Sequence, residues 1–145
     1  MKRTAANRPG SIAEISERAR AQTQAFDAAV REFLDSWQSM TAGNRVKALA
    51  TKPEAVGKIQ DAYLAALAEH LALSSGIVAP AWTEEPDRFL TEPFFAGGLE
   101  SLKAILLVES PLAFRRRLIF ISADGLTRPV RTSNQDSARR AASDM

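Results

Sequence analysis

Apolar residues first settle into a helical rhythm from position 12 onward. Ile12, Ile15, Ala19, Phe26, Val30, Phe33, Trp37 and Met40 recur at intervals of three, four or seven, with Gln22 the one polar residue breaking the stripe. That spacing predicts a single amphipathic helix of about 28 residues that buries one face. Ser11 opens it as a cap with Glu14 three residues later, the pairing of a capping box. Thr41 to Asn44 read as a turn, with Asn44 as the cap of a short helix ending near Lys52. Pro53 suits the first turn of a further helix over residues 54–74. The apolar face of that helix is Val56, Ile59, Tyr63, Leu67, His70 or Leu71, and Leu73, and Gly76 is its stop.

Residues 78–98, VAPAWTEEPDRFLTEPFFAGG, break every period. Their prolines fix an irregular path, and Thr83 is expected to cap a short helix whose first turn holds Glu84 and Glu85. Trp82, Phe89, Phe94 and Phe95 are too apolar for a solvated linker, so the crossover should clip onto the helices. Leu99, Leu102, Ile105, Leu106 and Val108 then predict a strong, central helix. Ser110 and Pro111 start a short helix through Arg115, Arg116 and Arg117, and Ile119 to Ile121 leave open a small hairpin over 118–130. The expected fold is an all-α, single-domain helical bundle of four to six helices over residues 11–127. A flexible arm (1–10) precedes it, and a disordered tail (128–145) without large apolar side chains follows.

Charge changes this picture little. The net +2 hides a mildly acidic body between basic ends, where Lys2, Arg3, Arg8 and later Arg128, Arg131, Arg139 and Arg140 lie. Such tails add weak, salt-sensitive attraction to nucleic acid but read no sequence. No apolar run approaches the roughly 20 residues of a membrane span, so no membrane partner is expected. Cysteine is absent, which excludes disulfides and thiolate chemistry and makes a cytoplasmic setting the expectation.

Catalytic chemistry finds little to use. His70 is the only histidine and lies among leucines on an amphipathic pattern, which suits packing better than general base work. Glu32 with Asp35, and Glu84, Glu85 and Asp87, could do acid–base work or hold magnesium, but they read more simply as solvated charge. The AGG at 96–98 lacks the rest of a phosphate loop. No catalytic residue, cofactor or metal is therefore expected. Arg115, Arg116 and Arg117 leave three readings open: a solvated helix end, pairing with Glu84, Glu85 and Asp87, or an acidic partner.

Four blocks, REFLDSW (31–37), AALAEHLAL (65–73), VAPAWTEEPDRFLTEPFF (78–95) and LVESPLAFRRRLIFIS (107–122), carry a resemblance. The chain resembles a family of bacterial antitoxin-like proteins, often encoded beside a nucleotidyltransferase-like protein. The resemblance implies a helical, non-catalytic protein that binds a neighbouring toxin, with self-association left open. Related chains often carry an N-terminal helix-turn-helix; here one predicted helix and a short arm occupy that place. A small DNA-binding regulator is the alternative function. The expected partner surface joins the crossover to the arginines, through Trp82, Glu84, Glu85, Asp87, Phe89, Arg115, Arg116 and Arg117.

Overall fold

A computed structural model describes residues 8–96 and 110–121. The expected central helix at 99–108, the tail from 128 and the far half of any hairpin lie outside these residues. What is described is mostly helical, a small all-α domain with one pair of two-residue strands.

The first predicted helix is two. Helix α1 (Ile12–Ala21) ends where Gln22 turns extended at φ −154°, and α2 (Ala25–Gln38) begins after a tight turn closed by Ala25 N–H on the Gln22 carbonyl at 2.9 Å. An unbroken helix of about 28 residues would be about 42 Å long and could not wrap its stripe around a core this small. Broken at Gln22, the halves pack on each other, with Arg18 reaching Glu32 at 3.1 Å. Ser11 caps α1 as expected, accepting from Glu14 N–H, while the Glu14 carboxylate takes the Gly10 N–H at 3.0 Å. Pro9 is buried, so the last residues of the expected arm belong to the packed body.

Helix α3 (Ala42–Ala50) is capped by Thr41, not Asn44: the Thr41 hydroxyl accepts the Asn44 N–H at 3.2 Å. Arg45 of α3 lies over the Trp37 ring at 4.9 Å and donates to the Trp37 carbonyl, so it finishes α2 from outside.

Helix α4 (Lys58–Ser75) starts four residues later than Pro53 and Glu54 suggest. The intervening backbone finds partners elsewhere. Ser16 Oγ accepts from Glu54 N–H, the Asp61 carboxylate accepts from Val56 and Gly57, and Arg88 donates to the Pro53 carbonyl. With those groups satisfied, nothing drives a further helical turn there. Gly76 ends α4 in the left-handed region at φ 69°, as its position predicts. The buried set of α4 is wider than the predicted stripe. Ala62, Leu64, Ala65, Ala66, Leu67, Ala68, Glu69, Leu71 and Ala72 are buried, whereas Ile59 and Leu73 reach solvent. Alanines let neighbours approach from several sides, and α4 is thereby the central element.

The crossover forms two 3-10 turns, Ala81–Glu84 and Pro86–Arg88. Thr83 caps neither; it is fully buried inside the first turn and donates its hydroxyl to the Pro80 carbonyl at 2.7 Å. Strand β1 (Phe94–Phe95) then pairs in parallel with β2 (Ile119–Phe120), Phe94 opposite Ile119. Thus 119–120 bond back to the crossover. Between them α5 (Leu112–Arg115) packs on α4. Ser110 is not its cap: its hydroxyl exchanges hydrogen bonds with the Ile121 backbone at 2.8 and 2.9 Å, stitching the two ends of this unit together.

Candidate functional site

The densest chemistry of the described residues sits where the crossover, α4 and the end of α5 meet. Arg116 and Arg117 follow the last turn of α5, and the backbone turns sharply at Leu118, which holds φ 64°. A non-glycine residue in that region costs about 1–2 kcal/mol and persists only where its surroundings demand it. Leu118 accepts the Phe94 N–H at 2.8 Å, so the turn delivers the chain into β2.

Arg117 is fully buried. Its Nη1 donates to Glu69 Oε1 at 2.6 Å and to the Ala113 carbonyl at 2.7 Å, while Nη2 donates to the Thr83 carbonyl at 2.7 Å. One cation thereby ties α4, α5 and the crossover together. Its Nε finds no acceptor among the described residues, a cost the other bonds must offset. Arg116 lies further out: Nη1 reaches both oxygens of Glu69 at 2.7 Å, and Nη2 reaches Glu84 Oε1 at 2.8 Å. Phe89 lies under both guanidinium groups, 4.5 Å from Arg117 and 5.5 Å from Arg116. An aromatic face is a favourable neighbour for a partly desolvated cation.

The hydrogen bond from Arg116, helped by the charges of Arg116 and Arg117, holds the Glu84 carboxyl below the usual carboxylate range despite some desolvation. The same hydrogen bond pushes the Arg116 guanidinium further up, so it stays charged at any ordinary pH. Tyr63 stands edge-on between Phe26 and Phe114, and burial, with the nearby Asp27 charge, pushes its hydroxyl up to about 12.

The predicted site residues divide accordingly. Glu84, Phe89, Arg116 and Arg117 come together, so two of the arginines are not a solvated helix end. Trp82 is buried and donates its indole N–H to the Leu49 carbonyl at 3.0 Å, which makes it a core residue instead of a surface anchor. Glu85 pairs with Lys52 at 2.7 Å, away from the arginines. Asp87 and Arg115 are exposed. Sequence reasoning missed Glu69 and Arg88. Glu69 is the acid inside AALAEHLAL, flanked by buried alanines and leucines on both sides, and that flanking was its signal. Arg88, also buried, stacks on Trp82 at 5.0 Å and donates to the Asp61 and Pro53 carbonyls.

His70 is half-buried on α4, edge-on to Phe114 at 6.2 Å, and burial lowers its pKa. Its folded value lies below 6.5, so the unfolded chain binds the proton more readily. Its contribution to stability is therefore present above pH 6.5 and lost as pH falls through the folded value. Urea unfolding at pH 7.5 and 5.5 should show this loss in the parent and a smaller one in His70→Gln; equal pH slopes would exclude His70 as the source.

Among the described residues, no group of three or more His, Cys, Asp or Glu stands together as metal ligands do, and no helix is long and apolar enough to cross a membrane. No protein-family model, curated protein or solved structure matches this chain.

Proposed function

We propose that this chain is a non-catalytic protein-binding module, the neutralising, antitoxin-like member of a bacterial toxin–antitoxin-type pair. The observation that carries the reading is the outer face of α5. Leu112, 58% exposed, lies three and four residues before Arg115 and Arg116 and so shares a helix face with them. Arg116 in turn holds Glu84 at the edge of that face. An exposed apolar side chain beside arginines, on a support pinned by a buried ion pair, has the composition of an interface core and little conformational freedom left to lose on binding. The chemistry beneath it is spent internally: Glu69, Glu84, Arg116 and Arg117 neutralise one another. Trp82 and Arg117 drop out as contact residues because they are buried.

The test uses co-expression with the product of the adjacent gene. The protein should copurify with that product and relieve the growth defect it causes. Reversing Arg116 is a poor probe, because it would gather three carboxylates at Glu69 and Glu84. Leu112→Glu with Arg115→Glu changes only exposed side chains and should keep the fold. Loss of copurification and of growth relief by the folded double variant is expected, and retention of both would move the contact elsewhere. An adjacent product that neither binds nor harms growth would end the toxin–antitoxin reading.

A further inference from the structure

Arg116 has more acceptors than it needs. Its Nη1 carries two hydrogens, yet three carboxylate oxygens lie within reach: both of Glu69 at 2.7 Å and Glu84 Oε2 at 3.1 Å. The two acids are not equivalent. Glu69 is fixed on the central helix, 11% exposed at its side chain, and keeps Arg117 whatever Arg116 does. Glu84 sits on a 3-10 turn with a side chain 53% exposed, and it takes Arg116 through a two-point contact, Nη2–Oε1 at 2.8 Å and Nη1–Oε2 at 3.1 Å. Released into water, Glu84 would be solvated at little cost. Arg115, the residue before Arg116, is exposed, and Leu112 completes the face.

Resting on the protein-binding reading above, we infer that this face recognises an acidic segment of its protein partner, and that Glu84 occupies the partner's place on Arg116 in the free protein. A partner carboxylate displaces Glu84 and meets the same two guanidinium nitrogens. A second acid pairs with Arg115, and an apolar neighbour covers Leu112. Charge complementarity selects this occupant, because the internal Glu69, Glu84, Arg116 and Arg117 set is neutral and the exposed Arg115 adds a positive charge with no ion-pair partner among the described residues. Glu84 thus acts as a built-in competitor that weakens attachment of any weakly acidic surface.

Removing any exposed acid favours an acidic peptide somewhat through general electrostatics, so the distinguishing comparison is with the exposed Asp87. Asp87→Asn removes the same charge without touching Arg116 and should gain less than Glu84→Ala, and an equal gain from both overturns the inference. The probe is a fluorescein-labelled peptide of alternating glutamate and leucine, with a glutamine–leucine peptide as control, followed by anisotropy on the full chain. Glu84→Ala should tighten the glutamate peptide roughly two- to fivefold, the range an exposed ion pair can supply. Glu84→Gln, which keeps shape and one acceptor, should act in the same direction, and Leu112→Glu with Arg115→Glu should abolish the gain. Equal binding of both peptides overturns the inference, as does unchanged or weaker binding by both folded Glu84 variants. Self-association of the parent that disappears in Arg115→Glu also overturns it, since a second copy would then cover the face. These results are separable from the co-expression test: copurification lost on reversing Leu112 and Arg115, with no effect of Glu84, leaves the proposed function standing and removes only the acidic-segment inference.

Discussion

Arg117→Ala should destabilise the domain by about 3–5 kcal/mol, the scale seen when one partner of a buried ion pair is removed. The guanidinium is fully buried, and its loss strips acceptor bonds from three places at once: Glu69, the Ala113 carbonyl and the Thr83 carbonyl. Thr83 and Ala113 would keep buried carbonyls without donors, and Glu69 would retain only the outer arginine, Arg116. A control separates charge from packing. Arg117→Met with Glu69→Met removes both charges and keeps volume, so it should cost less than the sum of the single changes. Urea unfolding of the parent, Arg117→Ala, the two single methionine variants and the double variant measures both quantities. A loss below about 1 kcal/mol for Arg117→Ala would mean that Glu69 is effectively solvated, and the cluster would then not pin the crossover.

Trp82→Ala should be comparably severe, at about 3–5 kcal/mol for truncating a large buried aromatic. The ring is 7% exposed, its indole N–H satisfies the Leu49 carbonyl at 3.0 Å, and the buried Arg88 guanidinium lies 5.0 Å from its centroid. Truncation therefore opens a cavity, orphans a backbone acceptor and unseats Arg88 together. Trp82→Phe isolates part of this: it preserves most of the packing and should cost about 1–3 kcal/mol for the unpaired buried carbonyl and the lost ring volume. Thermal and urea unfolding distinguish the two. If Trp82→Ala melts close to the parent, the indole is not the anchor between crossover and α3.

Local signals in the sequence were legible where the answer was local. The Ser11 cap, the Gly76 stop and the apolar spacing of α1 and α2 depend on residues within one or two turns of one another, and the all-α class follows from that spacing. Gln22 showed a fault in the stripe, but whether a fault bends a helix or is carried through it depends on what the two halves must cover. Thr41 won over Asn44 as cap because both are good caps and the first available one starts the helix. The delayed start of α4 was hidden because its decisive partners, Ser16 and Arg88, lie 38 and 35 residues away from Glu54 and Pro53. Alanine hid the true breadth of its buried surface, since a residue that suits both water and core leaves no mark in the pattern.

The candidate site was half legible for the same reason. Acids in the crossover and arginines after α5 suggested a meeting, and Glu84 and Arg116 do meet. Which arginine would be buried could not be read from RRR, because consecutive helical positions point about 100° apart and only the docked geometry selects one. Glu69 looked like an ordinary helix glutamate, although its surroundings of alanine and leucine made full solvation on α4 an awkward fit.

The spacing of that ion cluster along the chain has a bearing on the order of folding. The Glu69 carboxylate finds its two cations 47 and 48 residues downstream. Helices α1 and α2 meet across a three-residue turn, a short loop that closes at small entropic cost. The cluster instead requires a long loop to close first, and β1 can pair only when β2 arrives with it. During synthesis, α4 therefore carries its acid unneutralised until the arginines emerge. The N-terminal hairpin of helices and the Trp82 and Arg88 bonds of the crossover to residues 49–61 need nothing from α5, whereas the Glu69–Arg116–Arg117 cluster can close only in the step that also builds the exposed face of α5.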